Sequence, residues 1–67
     1  MEYTKKIVYQ SNYWYNDGLR KAKIRDMSGA IMSLRKSLQF NRENIAARNL
    51  LGLVYYGIGE VPEALVE

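Results

Sequence analysis

Seven carboxylates, ten Lys/Arg and six tyrosines are the side chains of this 67-residue chain that could do chemistry, and histidine and cysteine are absent. That absence closes imidazole bases, thiolate nucleophiles, His/Cys zinc sites and disulfides together. Lysine and tyrosine schemes remain, but no spacing pairs them as nucleophile and base. The carboxylates Asp17, Asp26, Glu43, Glu60 and Glu63 fall mostly at expected helix starts and caps. There an acid complements free amides and the positive end of the helix dipole. Gly57-Ile58-Gly59 follows a helical run, not a strand, so it reads as a stop signal and not as a phosphate-binding loop. The chain is expected to be non-catalytic, with no cofactor and no metal.

The cations allow a different chemistry. Residues 1–36 carry eight Lys/Arg against three acids, and residues 37–67 carry two against four. Arg20, Lys21, Lys23 and Arg25 form the densest cluster, which raises nucleic-acid binding as an alternative function. At about 100° per residue these four spread around the helix instead of forming one stripe. A second helix meant to read bases would offer only Arg35, Gln39 and serines. The same cluster has a structural reason, since cations suit the last turn of a helix. The alternative stands behind a protein-binding reading.

The elements that position these residues are helices. Ile7, Trp14, Gly18 and Ala22 follow steps of seven, four and four, which predicts a first helix over 3–24. Gly18, inside that run, is best explained by another helix approaching closely. Asp26 is a good N-cap for a second helix over Met27–Phe40, with Ala30, Ile31, Leu34 and Leu38 on its apolar face. The short link makes the first two helices an antiparallel hairpin. Asn41-Arg42-Glu43-Asn44 is a turn whose last residue can cap a third helix over 45–58, apolar on most sides. Gly57 and Gly59 end it, and Pro62 suits the first turn of a fourth helix that has barely begun at Glu67. The chain is thus expected to be a fragment of a longer one.

The two halves share a frame. Gly18 answers Gly52, Arg25-Asp26 answers Gly59-Glu60, and Ala30 answers Ala64, each 34 residues apart. On Trp14-Tyr15-Asn16, Gly18, Ala30-Ile31, Leu34 and Leu38, and again on Leu51-Gly52, Tyr55, Gly59-Glu60 and Ala64-Leu65, the chain resembles the tetratricopeptide repeat family. The resemblance covers residues 11–67. It implies an all-α fold of antiparallel helix hairpins stacked as a short α-solenoid, in one domain over 1–67. Repeat one would run over about 11–44 and a partial repeat two over about 45–67. Asp17 stands where the family usually has leucine, Lys21 where it has an aromatic residue, and Arg42 where proline often closes the repeat. Those departures suit a first, capping repeat whose outer side meets water.

The resemblance also implies a function, the binding of a protein or peptide segment in the groove formed by the first helix of each repeat. The implied groove residues are Asn12, Tyr15, Leu19 and Lys23, with Ala22 beside them, and Asn49, Leu53 and Tyr56, with Ala46 and Gly57. Family members that grip a chaperone's C-terminal carboxylate use lysine and asparagine where this chain has Tyr15, Leu19 and Leu50. That subtype is not implied.

The expected core is Trp14, Gly18, Ala30, Ile31, Leu34, Leu38, Leu51, Gly52, Val54, Tyr55 and Ala64. Leu50, Leu53, Val54, Ile58, Val61 and Leu65 are expected to leave an apolar edge that a second copy covers, making this form a homo-oligomer. No apolar run approaches the roughly 18 residues of a membrane span. The chain is expected to be cytoplasmic.

Overall fold

A computed structural model describes the backbone of residues 2–56 and the side chains of residues 5–56. Among these residues there are three α-helices and no strand: α1 (Glu2–Lys23), α2 (Met27–Phe40) and α3 (Ile45–Tyr55). The all-α fold predicted from periodicity is the one observed. The expected fourth helix, Ala64, Val61, Leu65 and the last two residues expected of the third helix lie outside the described residues.

Each helix stops and starts for a local reason. α1 carries Arg20, Lys21 and Lys23 in its last turn, where they face the negative end of the dipole. It then closes in a Schellman motif. Asp26 N–H donates to Lys21 O at 2.8 Å and Arg25 N–H to Ala22 O at 3.0 Å, with Arg25 left-handed at φ 66°. Asp26 immediately opens α2, its carboxylate accepting from Gly29 N–H at 3.0 Å. In the next turn Asn41 Oδ1 accepts from Glu43 N–H at 3.1 Å, and Asn44 caps α3 by accepting from Ala47 N–H at 3.1 Å. Both caps follow from side-chain oxygens that satisfy otherwise free amides.

α1 and α2 cross closely at Gly18. A Cβ there would lie 2.7 Å from Leu34 Cγ and 3.3 Å from Ala30 O, so only glycine admits this approach. α3 then lies along the hairpin and closes a core of Leu19, Ala22, Ala30, Leu34, Ala47, Leu50 and Val54. Tyr15, Met27, Ile31, Leu38 and Leu51 pack against it, half-buried. Full burial of a leucine such as Leu34 or Leu50 is worth about 1.5–3 kcal/mol each.

Four expectations are corrected. Leu50, expected on the exposed edge, is 0% exposed, and Val54, expected both in the core and on that edge, is 5% exposed and core, because α3 turns its Ala47–Leu50–Val54 stripe to the hairpin. Tyr55, expected in the core, is 57% exposed, about 100° around the helix from Val54. Gly52, also expected in the core, lies opposite the buried stripe, and among the described residues a Cβ on it meets nothing within 4 Å. Trp14 is half-buried instead of fully enclosed.

Candidate interaction surfaces

α1 and α3 are joined by a buried polar knot. Ser11 Oγ donates to Ser37 O at 2.9 Å, and Ser37 Oγ donates to Ser11 O at 2.7 Å, a reciprocal pair across the α1–α2 crossing. Asn44 Nδ2 donates to Ser11 Oγ at 2.9 Å and to Asn12 Oδ1 at 3.3 Å. Because Asn44 Oδ1 caps α3, the orientation of the amide is fixed by the backbone it serves. Ser11 and Ser37 are fully buried, and among the described residues no buried side-chain polar atom lacks a partner. The knot brings the N-terminal end of α3 beside Ser11–Asn12, so α3 runs in the same direction as α1 on one flank of the hairpin.

That arrangement brings the expected groove residues onto adjacent helices, with unequal exposure. Lys23 and Asn49 are exposed, and Tyr56, the C-cap of α3, is 86% exposed. Asn12 is exposed yet tied to Asn44, while Tyr15 and Leu53 are half-buried. Burial pushes the Tyr15 phenol above its ordinary pKa, so it stays neutral. Leu19 does not fit the expectation of a contacting residue. It is only 7% exposed and belongs to the core that Ala47, Leu50 and Val54 of α3 complete; Ala22 beside it is 1% exposed. Ala46 is half-buried and Gly57 lies outside the described residues.

A second polar cluster occupies the hairpin's other flank. Asp17 and Lys21 stand two residues either side of Leu19, about 200° around α1 from the residue that faces α3. Asp17 Oδ2 accepts from Ser33 Oγ at 2.6 Å and pairs with Lys21 Nζ at 2.8 Å, and Arg20 approaches Oδ1 at 3.1 Å. The Lys21 ammonium and the Ser33 hydroxyl hold this carboxyl below its usual range. The two residues that depart most from the resemblance therefore compensate each other. They also draw Arg20 and Lys21 out of the basic cluster proposed for nucleic acid, leaving Lys23 and Arg25 exposed without an ion pair among the described residues.

Beside that cluster, Lys36 Nζ sits 4.3 Å above the Trp14 ring, and Tyr13 meets the same ring edge-on at 5.2 Å. Among the described residues there is no group of three or more His, Cys, Asp or Glu placed to hold a metal ion. No helix among them is long and apolar enough to cross a membrane.

The chain is 43% identical over 42 residues to the BBSome complex member bbs-4 of Caenorhabditis elegans, a match over 63% of this chain and 9% of that protein. The chain thus spans a small part of the relative's length. No family model matches it. No solved structure matches it either.

Sequence reasoning found both caps and the close approach at Gly18 but missed the knot. Ser11 and Ser37 carry a weak signal, two small hydroxyls on the faces where α1 and α2 must meet. Ser33, opposite Asp17, carries the same signal.

Proposed function

We propose that this chain is a non-catalytic interaction module of the tetratricopeptide type, presenting α1 and α3 together to a protein or peptide segment. One observation supports it above the rest. Two like-directed helices, joined at Asn12 and Asn44, carry exposed Lys23, Asn49 and Tyr56 with half-buried Tyr15 and Leu53. Tyrosine offers rigid amphipathic area at low entropic cost, and asparagine offers adaptable donors and acceptors. Leu19 enters as the residue that seats α3, not as a contact. The C. elegans relative is by name a member of a complex, which agrees with work done through protein contacts. Repeat one over 11–44 and partial repeat two over 45–67 remain the division we propose, in a cytoplasmic setting.

Two competing readings lose support. Nucleic-acid binding through Arg20–Arg25 has two of its four cations already paired with Asp17. Self-association through the apolar edge keeps only Leu53 among the described residues, since Leu50 and Val54 are core. Binding is tested with Asn49→Ala plus Tyr56→Ala, both exposed, so that helicity is preserved. A partner captured by wild type should bind the double variant at least about tenfold more weakly, a loss of about 1.4 kcal/mol. Equal binding would remove the groove.

A further inference from the structure

The flank of the hairpin turned away from α3 has a cleft of its own. Its volume is about 260 Å³, and it is lined by Trp14 and Lys21 of α1 and by Gly29, Met32, Ser33 and Lys36 of α2. The α2 residues recur at steps of three, one and three, a single stripe about 10 Å long at 1.5 Å per residue. Gly29 adds no side chain to that stripe, the place of its Cβ being taken by the Asp26 carboxylate that caps α2. Met32 stands over the cleft 73% exposed, and Trp14 is half-buried under the Lys36 ammonium. Half-exposed tryptophan and exposed methionine are the side chains that anchor partners, the one rigid and the other adaptable.

Charge selects the occupant. Lys36 makes no ion pair among the described residues, while Lys21, the other lysine on the cleft, is already paired with Asp17. The acids nearby are already engaged. Asp17 holds Ser33, Lys21 and Arg20, and Asp26 caps α2 at Gly29 N–H. A wholly apolar helix would strip water from the Asp17–Lys21–Ser33 rail with nothing in return. A basic one would meet the unpaired Lys36 ammonium. The shape fits a helix, because the same hairpin already seats α3 as a helix on its other flank.

We infer that this flank docks a short amphipathic helix with an acidic rim, its apolar face on Trp14 and Met32 and a carboxylate on Lys36. The site is distinct from the α1–α3 groove and does not depend on it. Trp14 is the chain's one tryptophan, so its emission reports directly on the cleft. The experiment titrates the 67-residue chain with a synthetic helical peptide of about 15 residues, leucine on one face and glutamate on its borders. A second peptide has every glutamate replaced by lysine, and a DNA duplex serves as a competing polyanion. Saturable change in Trp14 emission is expected with the acidic peptide alone. Its affinity should fall about tenfold or more in Lys36→Glu, return in Lys36→Arg, and weaken between about 50 and about 500 mM salt. Asn49→Ala with Tyr56→Ala should leave it unchanged, which separates failure here from failure of the groove. No saturable change, equal affinity for the lysine peptide, or a response to the duplex in place of the peptide would each overturn the proposal.

Discussion

Arg25 ends α1 in a left-handed conformation, at φ 66°, that costs an L-residue with a Cβ about 1–2 kcal/mol. Its N–H makes one Schellman bond, to Ala22 O, and its turn presents Asp26 N–H for the other, to Lys21 O, so the geometry is required while the side chain is not. Arg25→Gly should therefore stabilise the chain by about 1 kcal/mol after the extra flexibility of unfolded glycine is counted. Urea unfolding checks this, and a destabilised variant would mean that the guanidinium holds something of its own. Ser37 gives the opposite case. Ser37→Ala leaves Ser11 O without its 2.7 Å donor and should destabilise by about 1–3 kcal/mol. Ser11→Ala with Ser37→Ala should cost less than the two singles summed, because each removes the other's partner. Additive losses would show that the pair is not coupled. Asp17 sets the acid limit. Its folded pKa is depressed, so its stabilising contribution is fully present above the ordinary carboxylate value near about 3.9. That contribution is lost as pH falls through the depressed value. Stability of Asp17→Asn should fall less steeply below about pH 4 than that of wild type; parallel curves would contradict the assignment. At this scale the caps Asp26 and Asn44 were legible, since a side-chain oxygen before an apolar run has one plain use. The serines were not. A buried serine has the size of alanine, and its partner lies 26 residues away.

At the scale of elements the two glycines separate. Gly18 and Gly52 hold the same place in the 34-residue frame, and both read as close crossings in the sequence. Gly18 is one, pressed against Leu34 and Ala30 O. Gly18→Leu should overpack it and cost about 1–3 kcal/mol. Gly52 has open space among the described residues, so Gly52→Ala should gain up to about 1 kcal/mol of helix propensity. Thermal unfolding of the two variants should move in opposite directions, and a shared loss would show Gly52 to be crowded as well. All three described helices were legible from period and punctuation, with α2 at its observed bounds. Which face of α3 meets the hairpin was not. Ala47, Leu50, Leu51, Val54 and Tyr55 span about 140° of that helix, and Ile45, Ala46, Leu53 and Tyr56 make its remaining sides apolar too, so periodicity cannot fix the limits of the buried face. Packing chose Ala47, Leu50 and Val54, which left Tyr55 outside and took two residues from the edge expected to self-associate.

At the scale of the whole molecule, the described residues form one hairpin with two flanks. α3 covers one of them and builds the α1–α3 surface, while Trp14, Met32 and Lys36 mark the other. The polar knot at Ser11, Ser37 and Asn44 fixes where α3 sits, so it also fixes which of its residues face outward. The family resemblance named Lys23, Asn49 and Tyr56, and these are exposed; it could not foresee that Leu19 would be covered, because that depends on where α3 lands. The most direct test of the central claim is affinity capture with three forms of the chain: wild type, Asn49→Ala with Tyr56→Ala, and Lys36→Glu. Each is first shown to keep its helicity by circular dichroism. A protein recovered by wild type and by Lys36→Glu but lost from the Asn49/Tyr56 variant is the expected result. Equal recovery by all three forms would contradict the α1–α3 surface as the binding face.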